Sequence, residues 1–118
     1  MKSGIVLIAH GSRDPQWSRP FERIAASVGH KLPAVAVALA YLEHGPALEE
    51  AVSALVAKGV GAIRVVPLFL GPGGHVRDDL PDLVEKARRP GLQITLEKSI
   101  GEEPQVIEAI ASAISVSR

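Results

Sequence analysis

The sequence contains no cysteine. Disulfides, thiolate metal sites and thiol nucleophiles are therefore excluded. Any metal must be held by histidine, carboxylate, backbone oxygen or a ligand's own atoms. Aromatic residues make up only 3% of the chain, so the core must be aliphatic and alanine-rich, for which a 47% hydrophobic content is ample. Neither sign of charge is in excess, with 13 Lys and Arg against 13 Asp and Glu. General nucleic-acid binders carry a basic surplus, so no nucleic-acid partner is expected; a local basic patch for a small anion remains open. Long apolar runs are missing too. No segment approaches the ~20 apolar residues of a membrane span, so no membrane partner is expected. The first run, Ile5–Ala9, is too short for a signal peptide and leads into His10. The expectation is a soluble cytoplasmic protein and, at 118 residues, one domain spanning 1–118.

Apolar periodicity supplies the elements. Ile5–Ala9 is a β-branched run without alternation, as in a strand buried on both faces. Phe21, Ile24, Ala25 and Val28 recur at helical spacing after Trp17. Residues 35–42 read as a second strand, and Pro46 is expected in the first turn of the helix whose stripe is Leu48, Ala51, Val52, Leu55 and Val56. Residues 62–70 read as a third strand. Val76, Leu80, Leu83, Val84 and Ala87 mark a third helix, and Pro81 suggests that it starts near Asp78 or Asp79, with that pair as its cap. A short strand over 92–96 precedes a last helix opened by Glu102-Glu103-Pro104, with Val106, Ile107, Ile110 and Ile114 as its buried stripe. The order βαβαβαβα predicts an α/β three-layer sandwich: a four-stranded parallel sheet with helices on both faces.

In such a sheet every βα loop lies on the carboxyl edge, where ligands bind. His10, Ser12, Arg13, Glu43, His44, His75 and Arg77 all fall in those loops. A sheet this small offers one wall of a cleft, and a homodimer would supply the second.

The stretch from Leu70 through Gly71, Pro72, Gly73 and Gly74 to His75 is the most distinctive. So many glycines imply a demanded backbone shape that lets a flat ligand approach the main chain; a tight strand-to-helix turn is the plainer reading. His10 ends the first strand, and Gly11 leaves its imidazole uncrowded. Two histidines from two strand ends can share a transition metal, and imidazole can accept a proton near neutral pH. Equally, each can hydrogen-bond its own loop. Glu43 can complete a coordination sphere, take a proton or be solvated. Arg13 and Arg77 suit carboxylates, which guanidinium pairs bidentately. His30 is expected to be solvated near a helix end, and His44 to support Glu43 or lie exposed. The glycines do not form a dinucleotide fingerprint, no Walker lysine follows them, and Ala9-His10-Gly11 lacks the arginine of a histidine phosphatase.

The strand followed by His10-Gly11-Ser12-Arg13, the segment Tyr41-Leu42-Glu43 with Pro46, and Val66-Pro-Leu-Phe-Leu70 running into Gly73-Gly74-His75-Val-Arg-Asp-Asp-Leu-Pro81 resemble the class II tetrapyrrole chelatases. The match is nearest to the short sirohydrochlorin cobaltochelatases of the small CbiX type, related to the siroheme ferrochelatases. It covers almost the whole chain. The resemblance implies a chelatase-like fold, half of a two-domain relative, and insertion of a divalent metal into sirohydrochlorin for cobalamin or siroheme. It implies His10 as metal ligand and proton acceptor, His75 as second ligand, and Glu43 as a substrate or metal contact. Leu70, Gly71, Pro72, Gly73 and Gly74 would pack against the macrocycle, with Arg13 and Arg77 taking its carboxylates. No prosthetic group is implied; the metal (Co²⁺, or Fe²⁺ or Ni²⁺) and the tetrapyrrole are substrates. Gly45 stands where relatives often carry an acid before the proline, leaving any acidic role there to Glu43 and His44. A non-catalytic carrier of metal or tetrapyrrole is the competing class.

Overall fold

The run Ile5–Ala9 becomes a strand buried on both faces, and the stripe Leu48, Ala51, Val52 and Leu55 becomes a helix with one buried face. A computed structural model describes residues 2–71 and 73–116, without the side chains of residues 74–77. Its elements are β1 (Lys2–Ala9), α1 (Pro15–Lys31), β2 (Ala36–Tyr41), α2 (Leu48–Ala57), β3 (Val60–Pro67), α3 (Gly74–Ala87), β4 (Gln93–Leu96), a 3₁₀ turn (Ile100–Glu102) and α4 (Pro104–Ser115). The strands form one parallel sheet in the order β2-β1-β3-β4. The expected α/β sandwich is thus present. Strand order reverses on either side of β1, which puts the topological switch point at the carboxyl ends of β1 and β3.

The two faces of the sheet are unequally filled. Val6, Ile8, Val65 and Ile63 point to the face covered by α2 and α3, where Val52, Leu55, Leu80, Val84 and Ala87 close the main core. On the other face, among the described residues, the buried cluster is Ile5, Leu7 and Val66, with Ala25 and Val28 of α1 partly buried against it.

Several boundaries differ from the periodicity. The third helix starts at Gly74, capped by Gly73, and carries Pro81 in its interior. Asp78 and Asp79 are therefore helical residues rather than caps. Burial of Leu80, Val84 and Ala87 holds the helix together across the hydrogen bond that Pro81 cannot make. Pro46 lies outside α2, whose cap is Ala47; Glu50 Oε1 accepts from the Ala47 N–H at 3.1 Å. β3 ends at Pro67, because the chain then leaves the sheet toward the glycine loop. The stripes on α1 and α4 are the larger departure. No residue of either helix is fully buried, and Ile107 and Ile114 of α4 are 56% and 78% exposed. α4 projects from the sheet and gives the molecule a long axis of 51 Å against 33 and 28 Å.

Candidate active site at the carboxyl edge

β1 delivers His10 and β2 delivers Glu43, and the ladder between them continues past both strands. The Leu42 N–H donates to Ala9 O at 3.0 Å, and the Glu43 N–H donates to His10 O at 2.9 Å. This zipper needs Gly11. Its φ of +103° is a glycine conformation, and a Cβ there would collide with the Glu43 carbonyl. With the two loops pressed together, His10 Nε2 stands 3.4 Å from Glu43 Oε2, both side chains open to solvent. A carboxylate at this distance can accept from the imidazole and orient the ring.

Beyond Gly11 the chain turns into α1. The Asp14 N–H donates to Ser12 Oγ at 3.1 Å, and Asp14 Oδ1 caps the helix by accepting from the Gln16 N–H at 2.9 Å. Arg13 lies exposed in this turn. On the other side of His10, β3 feeds the glycine loop. The Leu68 N–H donates to Ile8 O at 2.8 Å, after which Leu70 is 74% exposed and Gly71 and Gly73 are open. Pro72 lies outside the described residues. His75 and Arg77 fall in the first turn of α3 by their backbone, at the switch-point side of the sheet; their side chains lie outside the description. The structure thus joins His10 to Glu43 directly and brings the chain of His75 to the same edge. His44 is exposed with φ +64°, and His30 is exposed in the last turn of α1.

His10, Leu42 and Glu43 share a cleft of about 520 Å³ with Asp79, Asp82, Leu83 and Lys86 of α3. These α3 residues were not singled out from the sequence as site residues. Their spacing (i, i+3, i+4, i+7) was the available signal: one polar helix face at a ligand edge. A second hollow, of about 340 Å³, lies on the far side of Glu43 between Trp17, Tyr41, Glu22 and Pro46. Trp17 stacks at 4.6 Å from Phe21 and 6.1 Å from Tyr41, between ring centroids. Burial, and then the charge of Glu22, raise the Tyr41 phenol above its ordinary pKa, so it stays a neutral donor. Among the described residues no three His, Asp or Glu side chains converge tightly enough to hold a metal. A cation at His10 therefore needs further ligands from the solvent, the substrate or residues outside the description.

The family model for CbiX matches residues 4–117. The chain belongs to the CbiX family. Two curated relatives are each named sirohydrochlorin cobaltochelatase. That of Saccharolobus solfataricus is 31% identical over 95% of this chain and 93% of its own length. That of Methanosarcina acetivorans is 36% identical over 70% of this chain and 65% of its own length. Among solved structures, a CbiX protein of Marinobacter aquaeolei, named for cobalamin biosynthesis, is similar with TM-score 0.83 and 35% identity, over 95% of this chain and 93% of that one. The sirohydrochlorin chelatase SirB of Bacillus subtilis subspecies spizizenii, solved with cobalt, gives TM-score 0.83 and 28% identity over 97% of this chain and 50% of that one. SirB of Bacillus subtilis with Fe³⁺ gives 0.82 and 27% over 99% and 49%. The CbiX chain thus spans nearly all of some relatives and half of SirB, in keeping with the resemblance read from the sequence.

Proposed function

We propose that this CbiX chain is a sirohydrochlorin metal chelatase that inserts a divalent ion, first Co²⁺, into the macrocycle on a route to cobalamin or siroheme. The observation that carries the reading is the imidazole of His10, set by the central strand at the switch point and 3.4 Å from the Glu43 carboxylate. Metal insertion needs no covalent intermediate. It needs a partly desolvated cation, a held macrocycle and removal of two pyrrole protons. His10 serves as ligand and then as proton acceptor, a role open to an imidazole with a free ring nitrogen. Glu43 orients the ring and steadies the imidazolium. His75 is the second ligand, brought by the first turn of α3. The exposed Leu70 and open glycines lie against the macrocycle face, and Arg13 and Arg77 pair with its carboxylates. Asp79 and Asp82 give the cleft a negative field that draws in the cation.

Supporting the metal are the relatives' name and the cobalt in one SirB structure; the Fe³⁺ in another keeps Fe²⁺ open, and imidazole also accepts Ni²⁺. The working unit is a homodimer, since one sheet edge forms one wall and the chain spans half of SirB. The cytoplasm is the compartment expected for it; no helix of the described residues is long and apolar enough to cross a membrane.

Visible absorbance of sirohydrochlorin with Co²⁺, Fe²⁺ or Ni²⁺, with and without substoichiometric protein, tests the reading. Turnover above the spontaneous rate, fastest with Co²⁺, is the expected result. A spectral change that saturates at one equivalent without acceleration would identify a carrier and overturn it.

A further inference from the structure

Aromatic side chains are scarce in this chain, and three of its four stand together: Trp17 and Phe21 of α1 beside Tyr41 of β2. The fourth, Phe69, packs against the main core. The other three belong to neither buried cluster, so the aliphatic core does not account for them. Trp17 and Tyr41 are half-buried and line the hollow of about 340 Å³ on the far side of Glu43. That volume lies within the range of small-molecule sites.

The polar walls of the hollow have one sign. Asp14, Glu22 and Glu43 line it, and among the described residues no Lys or Arg does. Ser18 Oγ lies 2.9 Å from Glu22 Oε1 and steadies that carboxylate. The end of α1 opens nearby, but Asp14 Oδ1 already caps it, which removes the pull on an outside anion. The carboxylates of a tetrapyrrole are therefore turned away here. A bare divalent ion fits poorly as well. It needs oxygen ligands converging on one point, and among the described residues no such group exists. A cation whose charge is spread over carbon fits both kinds of wall. Aromatic faces attract it, carboxylates balance it, and Leu39 and Pro46 give its methyl groups apolar contact.

We propose that the hollow between Trp17 and Tyr41 binds a small organic ammonium, an alkylated or methylated amine, against the aromatic faces with Glu22 and Glu43 as counter-charges. This site lies beside the one that holds His10 and shares a wall with it. Glu43 lines both, and its Oε2 stands 3.4 Å from His10 Nε2. A bound ammonium thus places a positive charge behind the carboxylate that faces the imidazole.

The chain has one tryptophan, so emission from Trp17 reports on the hollow without a label. Choline is the probe, titrated at constant ionic strength into the full chain with no metal and no tetrapyrrole. The expected result is a saturable change in emission with half-saturation in the millimolar range. The neutral isostere 3,3-dimethylbutan-1-ol, with carbon in place of the charged nitrogen, should give no such change. E22Q alters an exposed side chain and should raise the half-saturation about threefold or more. Y41L removes one ring and should raise it by a similar factor, with far-UV circular dichroism checking the fold.

A change that grows linearly without saturating would overturn the proposal, as would one that the neutral alcohol reproduces. Binding left intact by both E22Q and Y41L would do the same. Emission that responds to Mg²⁺ and not to choline would make the hollow a cluster for divalent ions and would overturn it too. Every readout is tryptophan emission in the absence of substrate, so failure here leaves the chelatase reading to be judged on turnover alone.

Discussion

Gly11 and Glu43 occupy each other's space: the backbone of Gly11 passes so close beneath the Glu43 carbonyl that a β-carbon would overlap it. The pair is what lets the β1 and β2 loops zip together and present His10 beside the Glu43 carboxylate. G11A adds both that collision and a φ of +103° that an L residue avoids. The expected cost is about 2 kcal/mol or more, at the upper end for a strained backbone position. Urea denaturation should show the lowered midpoint, and metal insertion should fall further than stability explains, since the loop carries His10. A G11A protein as stable and as active as the parent would mean that the loops can part without consequence.

Under the proposed function, His10 and Glu43 contribute to chemistry rather than folding. Both side chains are exposed, and changes at exposed positions without special contacts stay within about 0.5 kcal/mol. H10A should leave the thermal midpoint unchanged and lower turnover at least ~100-fold, the scale of a lost general base. E43Q keeps size and hydrogen bonding but drops the charge, so its loss should be smaller and should depend on pH differently from the parent. A rate profile with pH separates the two: wild-type turnover in H10A would remove histidine from proton transfer.

Element order, the carboxyl edge and the His10–Glu43 side of the site were legible because they follow from runs, stripes and glycines that act locally. The strands came from β-branched runs such as Ile5–Ala9, and the edge came from alternation alone. The misreadings share a cause: a stripe or a proline states a local preference but not what covers it. Pro81 predicted a late start for α3, whereas packing of Leu80, Val84 and Ala87 carries the helix through it back to Gly74. Ile107, Ile110 and Ile114 predicted a buried α4, and their periodicity is real; within one chain nothing covers them. Asp78 and Asp79 read as a cap for the same reason, since Pro81 set the expected start of α3 beside them.

Asp79 and Asp82 now face the cleft of His10 from the side of α3. Removing their charge by D79N/D82N should weaken capture of the cation before it reaches the macrocycle. The expected result is a several-fold rise in the KM for Co²⁺, with kcat and the KM for the tetrapyrrole little changed. The effect should shrink with added salt, because an exposed field is screened over ~10 Å at 0.1 M ionic strength. An equal fall in kcat with an unchanged metal KM would move these residues from attraction to the chemical step.

Glu97, just after β4, gives a pH dependence with a definite sign. Hydrogen bonding from the Arg64 guanidinium, more than its charge alone, holds the Glu97 carboxyl below its ordinary pKa. Arg64 Nη2 donates to Glu97 Oε1 at 3.0 Å. A depressed folded-state pKa adds stability that is fully present above the unfolded value, near ~4.3, and is lost as pH falls through the folded value. The pair is partly exposed, so its worth is at most about 1 kcal/mol. E97Q should therefore melt slightly below the parent at pH 7, and the gap should close as pH drops below ~4. A gap that widens with acid would assign the stabilisation elsewhere.

Pro81 sets stability against function within α3. It sits well inside the helix and cannot donate to the Arg77 carbonyl one turn earlier, and its ring crowds that carbonyl. An interior proline costs roughly 3 kcal/mol relative to alanine in a regular helix, and kinks relieve part of that. P81A should thus raise the thermal midpoint, by an amount corresponding to about 1 kcal/mol or more. The same helix carries His75 in its first turn and, in its middle, Asp79 and Asp82 beside the cleft of His10. If Pro81 sets the course of that first turn at the carboxyl edge, P81A will be more stable and slower in metal insertion, with kcat falling more than either KM. A stabilised variant with unchanged kcat would show that the site does not depend on the proline. A destabilised one would show that the packing of Leu80 and Val84 requires it.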